Sequence, residues 1–464
     1  MGGNPEARAR IRQHLDQAQR KVVVLDDDPV GPQTTHGLDV LTTPTPAALS
    51  RALSAAAPAF CVLTNTRAMP QPEAEAVSET IAADVLTIAA RQGVEIDIVN
   101  RGDSTLRGHF LAEGYALDRA RRAVLGRGFD GYVFAPQYFE AGRVTVDDVQ
   151  HARHDGELVP VSETVFAKDS AFGFRNANLR HYLAEKSSGA ISADDVLSVS
   201  RDDIRNGGPD RVARLLASLA DGRMAIVNAE DYRDLEIVVL GAQSARAQGS
   251  ALLFRGAPSF VRVVTGIEPR PPLRHADVYA HGPRSGHGLI VVGSHVPLST
   301  RQYEAARKLD GITCVEARVS ALLDPAQRDA HLTQVAAAVR AGLRHSDVLL
   351  HTSREPVAAD GADANLATAT AISGGVAAIV RALRPERPRF IISKGGLTTS
   401  DLLTKGLGVR RAAVLGQLLP GLISVWLLVD SDADDPTLPY VVFPGNVGDT
   451  DTLASIIEEL RGSP

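Results

Sequence analysis

An acidic run at residues 26–28 is the first place in this sequence where chemistry could occur. Asp26, Asp27 and Asp28 follow an apolar segment and come shortly before Gly31. Because adjacent carboxylates repel one another, one of them is expected to bind a cation or a polar ligand, or to have a raised pKa. The pattern leaves a solvated acidic turn open as the alternative.

A second stretch, residues 101–108, concentrates side chains that suit a polyhydroxylated anion. Its candidate ligand-binding residues are Arg101, Asp103, Ser104, Thr105, Arg107 and Gly108. Guanidinium groups bind planar carboxylates through paired hydrogen bonds, and hydroxyl groups suit sugar-like partners. The same hydroxyl groups could instead cap a helix, and the residues alone do not decide between these readings.

A third stretch, residues 136–145, also follows a strand-like run. It is expected to place Arg143 and Thr145 at the same strand-end site as the first two stretches. Ligands of doubly wound α/β sheets bind beyond the carboxyl ends of the strands, which is why such loops are searched first. Taken singly, this stretch also fits an irregular loop with no binding role.

The C-terminal half carries loops that are rich in glycine and hydroxyl groups and poor in charge. Their candidate nucleotide-binding residues are Ser294, Gly395, Gly396, Leu397, Thr398, Gly445, Asn446 and Gly448. Glycine lets backbone N–H groups approach a phosphate closely, and a following helix N-terminus adds its dipole. The GxxxxGK[ST] pattern does not occur, and no GxGxxG fingerprint follows a strand-like run and opens a helix. Three such glycine loops at strand ends nevertheless predict a nucleotide site.

Other chemistries lack their sequence signatures. The histidines have no zinc-binding spacing, no GxSxG nucleophile motif occurs, and Cys61 and Cys314 lie too far apart in sequence for a CxxC site. No metal ligands are assigned from the sequence.

The elements that would position these loops alternate as in parallel βαβ units. Strand-like runs occur at 22–25, 59–64, 95–99, 131–135, 225–228, 289–292, 312–315, 348–351, 390–393 and 440–443. Helical patterns occur at 77–88, 332–343 and 366–383, and 237–253 reads as a helix or a buried segment. The fold class is therefore predicted to be α/β, with two domains that contain mainly parallel sheets.

Chain length, a proline-rich stretch and the hydrophobic content together indicate the domain organisation and the class of protein. A chain of 464 residues predicts two or three domains, and the proline-rich stretch 265–285 suits a linker. We expect an N-terminal domain at 1–270, a linker at 271–285 and a C-terminal domain at 286–464. A hydrophobic content of 44% excludes a disordered chain.

Charge and hydropathy bear on partners and location. The net charge of −6 argues against a nucleic-acid partner, although local Arg clusters still allow an anionic substrate. Residues 1–20 lack the apolar core of a secretory signal, and the longest apolar stretch, 418–429, is interrupted by Pro420 and Gly421. A cytoplasmic protein without a membrane partner is expected, and its oligomeric state, including a homo-oligomer, stays open.

Taken in order, these motifs resemble those of the four-carbon acid sugar kinases, which use ATP to phosphorylate threonate, erythronate and their 2-oxo or 3-oxo relatives. The resemblance runs from about Val22 to Leu453. It rests on the Asp-Asp-x-x-Gly loop, the D-S-T-L-R-G string at 103–108 and the late Gly-Gly and Gly-Asn pairs. It looks closest to a longer branch with DDDPTG-type and SKGG(I/L)T-type loops.

The resemblance implies an N-terminal acid-sugar domain, a C-terminal ATP-binding domain and an active-site cleft between them. In the N-terminal half, the resemblance matches the acidic loop to Asp27, Asp28 and Gly31, and the substrate stretch to Arg101, Asp103, Ser104 and Arg107. It also matches a GRxT motif to Gly142, Arg143 and Thr145. The nucleotide-contacting motifs fall on Ser294, Gly395, Gly396, Thr398, Gly445 and Asn446. ATP and Mg²⁺ are the implied cofactors. Asp27 or Asp103 is the expected catalytic carboxylate, which would orient and partly deprotonate the attacking hydroxyl.

Three residues depart from the family pattern. Val30 stands where threonine is typical, Arg101 where lysine is common, and Leu397 where shorter members carry glutamate. The first two bear on which acid is the substrate. Two alternatives remain. One is a dehydrogenase, which would need a GxGxxG fingerprint between a strand and a helix, and the other is a non-catalytic or altered-specificity small-acid binding protein of the same fold.

Overall fold

A computed structural model describes residues 3–28, 31–154, 156–282, 284–354 and 362–462. Val30, whose effect on the substrate was raised above, lies outside these residues. Contacts within the chain separate it into two units, of which one ends at Pro269 and the other begins at Arg270. They are called the N-terminal and the C-terminal unit below, and each is described by itself.

The N-terminal unit contains a parallel sheet and a small antiparallel one. Its strands are β1 Arg20–Asp26, β2 Asp39–Leu41, β3 Ala59–Leu63, β4 Glu95–Arg101, β5 Gly131–Ala135, β6 Arg143–Val146, β7 Val149–His154, β8 Glu157–Pro160, β9 Leu197–Val199, β10 Arg223–Val227 and β11 Leu252–Gly256. The parallel sheet has the spatial order β2-β3-β1-β4-β11-β5-β10-β9. Strands β6, β7 and β8 form the antiparallel sheet.

Helices surround the parallel sheet. They are α1 Pro5–Gln17, α2 Pro46–Ser54, α3 Gln71–Gln92, α4 Phe110–Leu125, α5 Leu179–Lys186, α6 Arg201–Arg205, α7 Gly208–Ala217, α8 Tyr232–Ala247 and α9 Pro258–Val264. Helix α3 contains the apolar pattern predicted at 77–88 and buries Ile81, Val85 and Leu86. It ends at Gly93, whose φ of +67° is a conformation that glycine adopts without strain.

Strand register brings two of the predicted site residues together. β1 pairs with β4 so that Asp26 lies opposite Arg101, at the carboxyl ends of both strands. β1 also pairs with β3, which places the loop after β3 beside the same edge. The sheet thus gathers the loops after β1, β3 and β4 at one end.

The C-terminal unit also has a mainly parallel sheet. Its strands are β12 Leu289–Val292, β13 Ile312–Ala317, β14 Asp347–Thr352, β15 Ile391–Lys394, β16 Arg411–Leu419, β17 Ile423–Asp430 and β18 Pro439–Phe443. In the order β13-β14-β12-β15-β18 neighbouring strands are parallel. The hairpin of β16 and β17 then continues the sheet from β18 with antiparallel pairing.

The helices of this unit are α10 His275–Val278, α11 Pro297–Ala306, α12 Val319–Leu323, α13 Arg328–Gly342, α14 Ala362–Ala382, α15 Gly396–Asp401 and α16 Thr452–Arg461. Part of the stretch predicted as a linker is ordered here, since it contains α10 and the buried residue Leu273. The backbone N–H of Leu273 donates to the carbonyl oxygen of Gln417 at 2.7 Å. This segment packs as a part of the C-terminal unit.

The predicted α/β class with mainly parallel sheets is confirmed. The run at 289–292 coincides with β12, and 131–135 coincides with β5. The reading of 237–253 as one segment was wrong, because α8 ends at Ala247 and Leu252 begins strand β11. The antiparallel strands β6–β8 and the hairpin β16–β17 were not predicted.

Candidate functional site

Asp26 closes strand β1 and is almost completely buried. Its Oδ1 accepts hydrogen bonds from Arg101 Nη1 at 2.8 Å and from the backbone N–H of Asp28 at 3.1 Å, whereas Oδ2 is buried without a partner. Burial, together with the nearby charges of Asp27 and Asp28, raises the pKa of Asp26 to about 7 against the pull of Arg101. The sequence-based expectation of a raised pKa in the acidic run is met at this residue.

Asp27 and Asp28 are held by an arginine that the sequence analysis did not single out. Arg67 donates from Nη2 to Asp27 Oδ1 at 2.6 Å and from Nε to Asp27 Oδ2 at 3.2 Å. Its Nη1 donates to Asp28 Oδ2 at 2.7 Å. Arg67 lies in the loop after β3, so extending the strand-end argument to that loop would have found it.

A second arginine, Arg255 at the end of β11, also lies close to Asp27. Its Nη1 donates to Glu113 Oε2 at 2.8 Å and to Asn100 Oδ1 at 2.6 Å, and its Nη2 lies 3.8 Å from Asp27 Oδ2. Gly108 has a φ of +112°, and a Cβ atom there would lie 3.0 Å from Asp27 Oδ2. The glycine therefore lets the 101–108 loop approach the acidic run.

Asp103 is held in an ion pair inside its own loop. Its Oδ2 accepts from Arg107 Nε at 2.7 Å and from the hydroxyl of Thr105. Burial alone would raise the pKa of Asp103, but Arg107, Arg67 and the Thr105 hydroxyl outweigh it and hold the pKa well below its usual range. Asp103 is thus a stable anion, and a carboxylate with so low a pKa is a weak base.

Arg143, at the start of β6, has no carboxylate within ion-pair distance in the described part of the chain. Its guanidinium lies 5.7 Å from the ring centre of Tyr138 and 5.8 Å from that of Phe166. Its Nε is buried without a hydrogen-bond partner, and burial lowers the pKa of the group. A cation in this state is suited to an incoming anion.

Arg143 and Arg107 share one aromatic neighbour. The guanidinium of Arg107 lies 4.9 Å from the ring centre of Phe166, and its Nη1 lies 3.7 Å from Asp169 Oδ2. The structure therefore places the 101–108 loop and Arg143 in one neighbourhood, as the sequence predicted. Phe166 itself had no sequence signal, since it belongs to a short 3-10 helix, Val165–Lys168, that was not predicted.

The three hydroxyl residues predicted to bind the acid, Ser104, Thr105 and Thr145, lie inside the protein. The Thr145 hydroxyl donates to Gln150 Oε1 at 2.7 Å and accepts from Gln137 Nε2 at 2.7 Å, and the residue has 0% exposure. The carbonyl oxygen of Ser104 accepts from Gln150 Nε2 at 2.9 Å. These residues, like the buried Thr105, are placed to hold the loops rather than to face a surface that a ligand could reach.

In the C-terminal unit, the predicted glycine loops converge on Ser294. A Cβ atom on Gly395 would lie 3.1 Å from Ser294 Cβ, and one on Gly445 would lie 2.9 Å from Ser294 Oγ. A Cβ atom on Gly293 would overlap the Thr398 hydroxyl. The loops after β12, β15 and β18 are therefore packed against one another, and their close approach requires glycine.

A cavity of about 360 Å³ opens beside two of these loops. Its lining includes Gly293, Ser294, Thr352, Gly395, Gly396, Leu397 and Thr398. No acidic residue lines it within the described part of the chain. Helix α15 begins at Gly396, after Gly395 with a φ of +117°, so backbone N–H groups lie at the cavity wall.

The other two predicted nucleotide residues lie in the loop after β18. Asn446 is exposed, and Gly448, with a φ of +80°, lies against Thr452 at the start of α16. Gln302 on α11 anchors this loop by donating to the carbonyl oxygens of Val447 at 3.0 Å and Asp449 at 2.6 Å. The loop is fixed in place from α11.

Two cations beside these loops were not predicted as site residues. Lys394 is completely buried, and its Nζ donates to the carbonyl oxygen of Pro444 at 3.1 Å. Arg354, after β14, donates from Nη2 to the carbonyl oxygen of Ser294 at 2.6 Å and to Thr300 Oγ1 at 2.8 Å. The lysine within the SKGG string was a signal available in the sequence.

Among the described residues, no group of three or more His, Cys, Asp or Glu side chains is placed to hold a metal ion. None of the described helices is long and apolar enough to cross a membrane.

Two family models match the chain along most of its length. Residues 22–264 match the sugar-binding N-terminal domain, and residues 289–453 match the nucleotide-binding C-terminal domain. A search of curated proteins gave no match. The domain models agree with the expectation of a sugar-binding N-terminal half and a nucleotide-binding C-terminal half.

Solved structures support the fold. Haemophilus influenzae protein HI1011, of family DUF1537, is 18% identical with a TM-score of 0.61, and the match covers 94% of this chain and 99% of that one. A Salmonella typhimurium LT2 protein described provisionally as a tRNA synthase is 16% identical with a TM-score of 0.64, covering 93% and 97%. With these architectures and the ordered motifs together, the chain belongs to the four-carbon acid sugar kinase family.

Proposed function

We propose that this protein is an ATP-dependent kinase that phosphorylates a hydroxyl group of a four-carbon sugar acid of the threonate, erythronate or oxo-tetronate type. The N-terminal unit would bind the acid, and the C-terminal unit would bind ATP. A small sugar acid and ATP are the proposed partners. The terminal hydroxyl is the proposed acceptor, by analogy with the family.

The single observation that carries the proposal is the state of Arg143. The arginines around the acidic run, Arg67 and Arg101, are already paired with carboxylates. Arg143 lacks such a partner in the described residues and retains a buried, unpartnered Nε. A ligand carboxylate would satisfy this cation, which supports an anionic substrate.

The two proposed catalytic carboxylates would act mainly through position. Asp27 is held by Arg67, and Asp103 by Arg107, at hydrogen-bond distances. Fixed anions of this kind can orient a sugar hydroxyl for attack. Phosphoryl transfer needs positioning and charge neutralisation more than a strong base, so this arrangement is adequate for the chemistry.

The nucleotide would bind to the loops that meet at Ser294. The proposed contacts are those from Gly395, Gly396, Leu397, Thr398, Gly445, Asn446 and Gly448. The described residues build no metal site of their own. We therefore assign no protein ligand to Mg²⁺, which in many ATP sites takes most of its ligands from phosphate and water.

An ADP-release assay over D- and L-threonate, D- and L-erythronate and the corresponding oxo acids tests the proposal. At least one acid should give Mg-ATP-dependent ADP release. Arg143→Gln should raise KM for that acid by about tenfold or more, because a charge-assisted contact contributes about 1.5–3 kcal/mol. The matched control is Arg153→Gln, which removes an exposed guanidinium bound to the carbonyl oxygen of Gly156 and should leave KM unchanged.

The alternative of a non-catalytic acid-binding protein has a different signature. A kinase should gain thermal stability from Mg-ATP and from a small sugar acid, whereas a pure binder should respond to the acid alone. Stabilisation by acids without any response to nucleotide would contradict the proposed activity.

A further inference from the structure

Lys394 and Arg354 are two cations of the C-terminal unit that make no ion pair with any carboxylate among the described residues. Lys394 is the last residue of β15 and has 0% exposure. Its Nζ lies 3.1 Å from the Pro444 carbonyl oxygen, 3.5 Å from that of Gly445 and 3.7 Å from the ring centre of Phe443. These neutral groups solvate the ammonium only in part.

Arg354 lacks hydrogen-bond partners for part of its guanidinium, and Glu304 acts on it only as a nearby charge. Two of its nitrogens, Nε and Nη1, are buried without hydrogen-bond partners, while Nη2 is bound to Ser294 and Thr300. Its guanidinium lies 5.8 Å from the ring centre of Tyr303. It makes no ion pair with a described carboxylate.

Three polar side chains on neighbouring elements of the described structure already have partners of their own. From β18, Tyr440 uses its hydroxyl to donate to the carbonyl oxygen of Thr399. From the loop after β12, the ring of His295 is hydrogen-bonded to the carbonyl oxygen of Ser353. On α15, Asp401 is paired with Lys405 at 2.8 Å. Arg354 is the charged group that acts on Lys394, and it repels a proton there.

A buried lysine and a half-buried arginine that lack a carboxylate partner among the described residues are suited to bind an anion. Burial, followed by the repulsion from Arg354, lowers the pKa of Lys394 to about 7. An anion bound nearby would oppose the effects of burial and of Arg354 on this pKa, and so would favour the protonated ammonium.

We propose that the charge-deficient pair Lys394 and Arg354 binds the polyphosphate of the nucleotide, and that this binding draws a proton onto Lys394. The ammonium also fixes the turn at Pro444 and Gly445 through their carbonyl oxygens, so a charged Lys394 holds the glycine loop in its binding geometry. This inference rests on the proposed function, because it assumes that the nucleotide binds at these loops.

Isothermal titration calorimetry of the full chain with Mg-ADP and Mg-ATP at pH 8, in buffers of different ionisation enthalpy, measures the proton uptake. The wild type should take up most of one proton per nucleotide, and its affinity should fall by up to about tenfold per pH unit above the pKa of Lys394. AMP, with a single phosphate, should cause less uptake.

Lys394→Met should abolish the uptake and flatten the pH profile. Lys405→Met is the matched control, since it removes an exposed lysine of the same unit that is paired with Asp401, and it should preserve both. Arg354→Gln should lower the affinity for ATP and ADP by about tenfold and the affinity for AMP by less. Arg307→Gln is its control, because Arg307 lies over the same Tyr303 ring but is paired with Glu304.

Nucleotide binding by the wild type without proton uptake would overturn this inference and leave the proposed kinase activity standing. Equal uptake in Lys394→Met and the wild type would overturn it as well. Failure of the wild type to bind any nucleotide would instead contradict the proposed function itself. The wild-type measurement decides the matter even if a variant does not fold.

Discussion

The carboxylate of Asp26 occupies the space that a side chain on Gly31 would need. A Cβ atom on Gly31 would overlap both carboxylate oxygens, and Oδ1 of Asp26 is already held by Arg101 at 2.8 Å. The glycine is therefore required by a close approach within the acidic loop. The acidic run and Gly31 therefore depend on each other for the packing of this loop.

Gly31→Ala should destabilise the N-terminal unit by about 1–3 kcal/mol, because the added methyl group must displace a carboxylate fixed by Arg101. Sugar-acid affinity should fall with it, since the acidic loop would shift. Thermal unfolding of the variant measures the first effect. Gly374→Ala in α14 is the control, because a Cβ atom there meets nothing within 4 Å, and its unfolding temperature should be unchanged or slightly higher.

The raised pKa of Asp26 predicts a specific pH dependence of stability. The folded value of about 7 lies above the ordinary value of 3.8, so the folded state binds more protons between these limits. The stability of the wild type relative to Asp26→Asn should therefore fall as the pH rises from about 4 to about 7. The slope should be at most about 1.4 kcal/mol per pH unit.

Chemical unfolding of both proteins across this range tests the sign. A stability difference that stays constant, or that grows with pH, would show that Asp26 does not take up a proton in the folded state.

Asp103→Asn should leave the fold intact and reduce turnover by at least about tenfold. The substitution removes the charge that holds Arg107, and Arg107 would then turn toward Asp169, which lies 3.7 Å away. Because the pKa of Asp103 lies well below its usual range, the acidic limb of the wild-type pH–rate profile should not report this residue. Steady-state kinetics with circular dichroism test both points, and wild-type turnover would exclude a catalytic role.

The sequence predicted the loops well because parallel strands carry strong local signals. The runs that became β5 and β12 were continuous and apolar, and the polar residues after them had to lie at strand ends. Arg255 was not predicted as a site residue because strand β11 follows helix α8 after a short turn. The apolar residues of β11 were therefore interpreted as part of the same segment as the helix. Phe166 and Arg354 could not be predicted, since their positions depend on tertiary contacts of irregular segments.

Lys394 gives a stability prediction of the opposite sign to Asp26. Its folded pKa of about 7 lies below the ordinary value of 10.5, so between these limits the unfolded chain binds more protons than the folded one. The stability of the wild type relative to Lys394→Met should therefore rise as the pH increases from about 7 to about 10. The increase should approach, at most, about 1.4 kcal/mol per pH unit.

Methionine suits this test because it has a similar length and can remain in contact with Phe443 without a charge. Urea unfolding of both proteins without nucleotide, at several pH values in this range, measures the difference. Lys405→Met should show no such trend, since that side chain is 54% exposed. A difference that does not change with pH would mean that Lys394 stays protonated in the folded protein, so the neutral backbone carbonyl groups and the Phe443 ring would be sufficient to stabilise its charge.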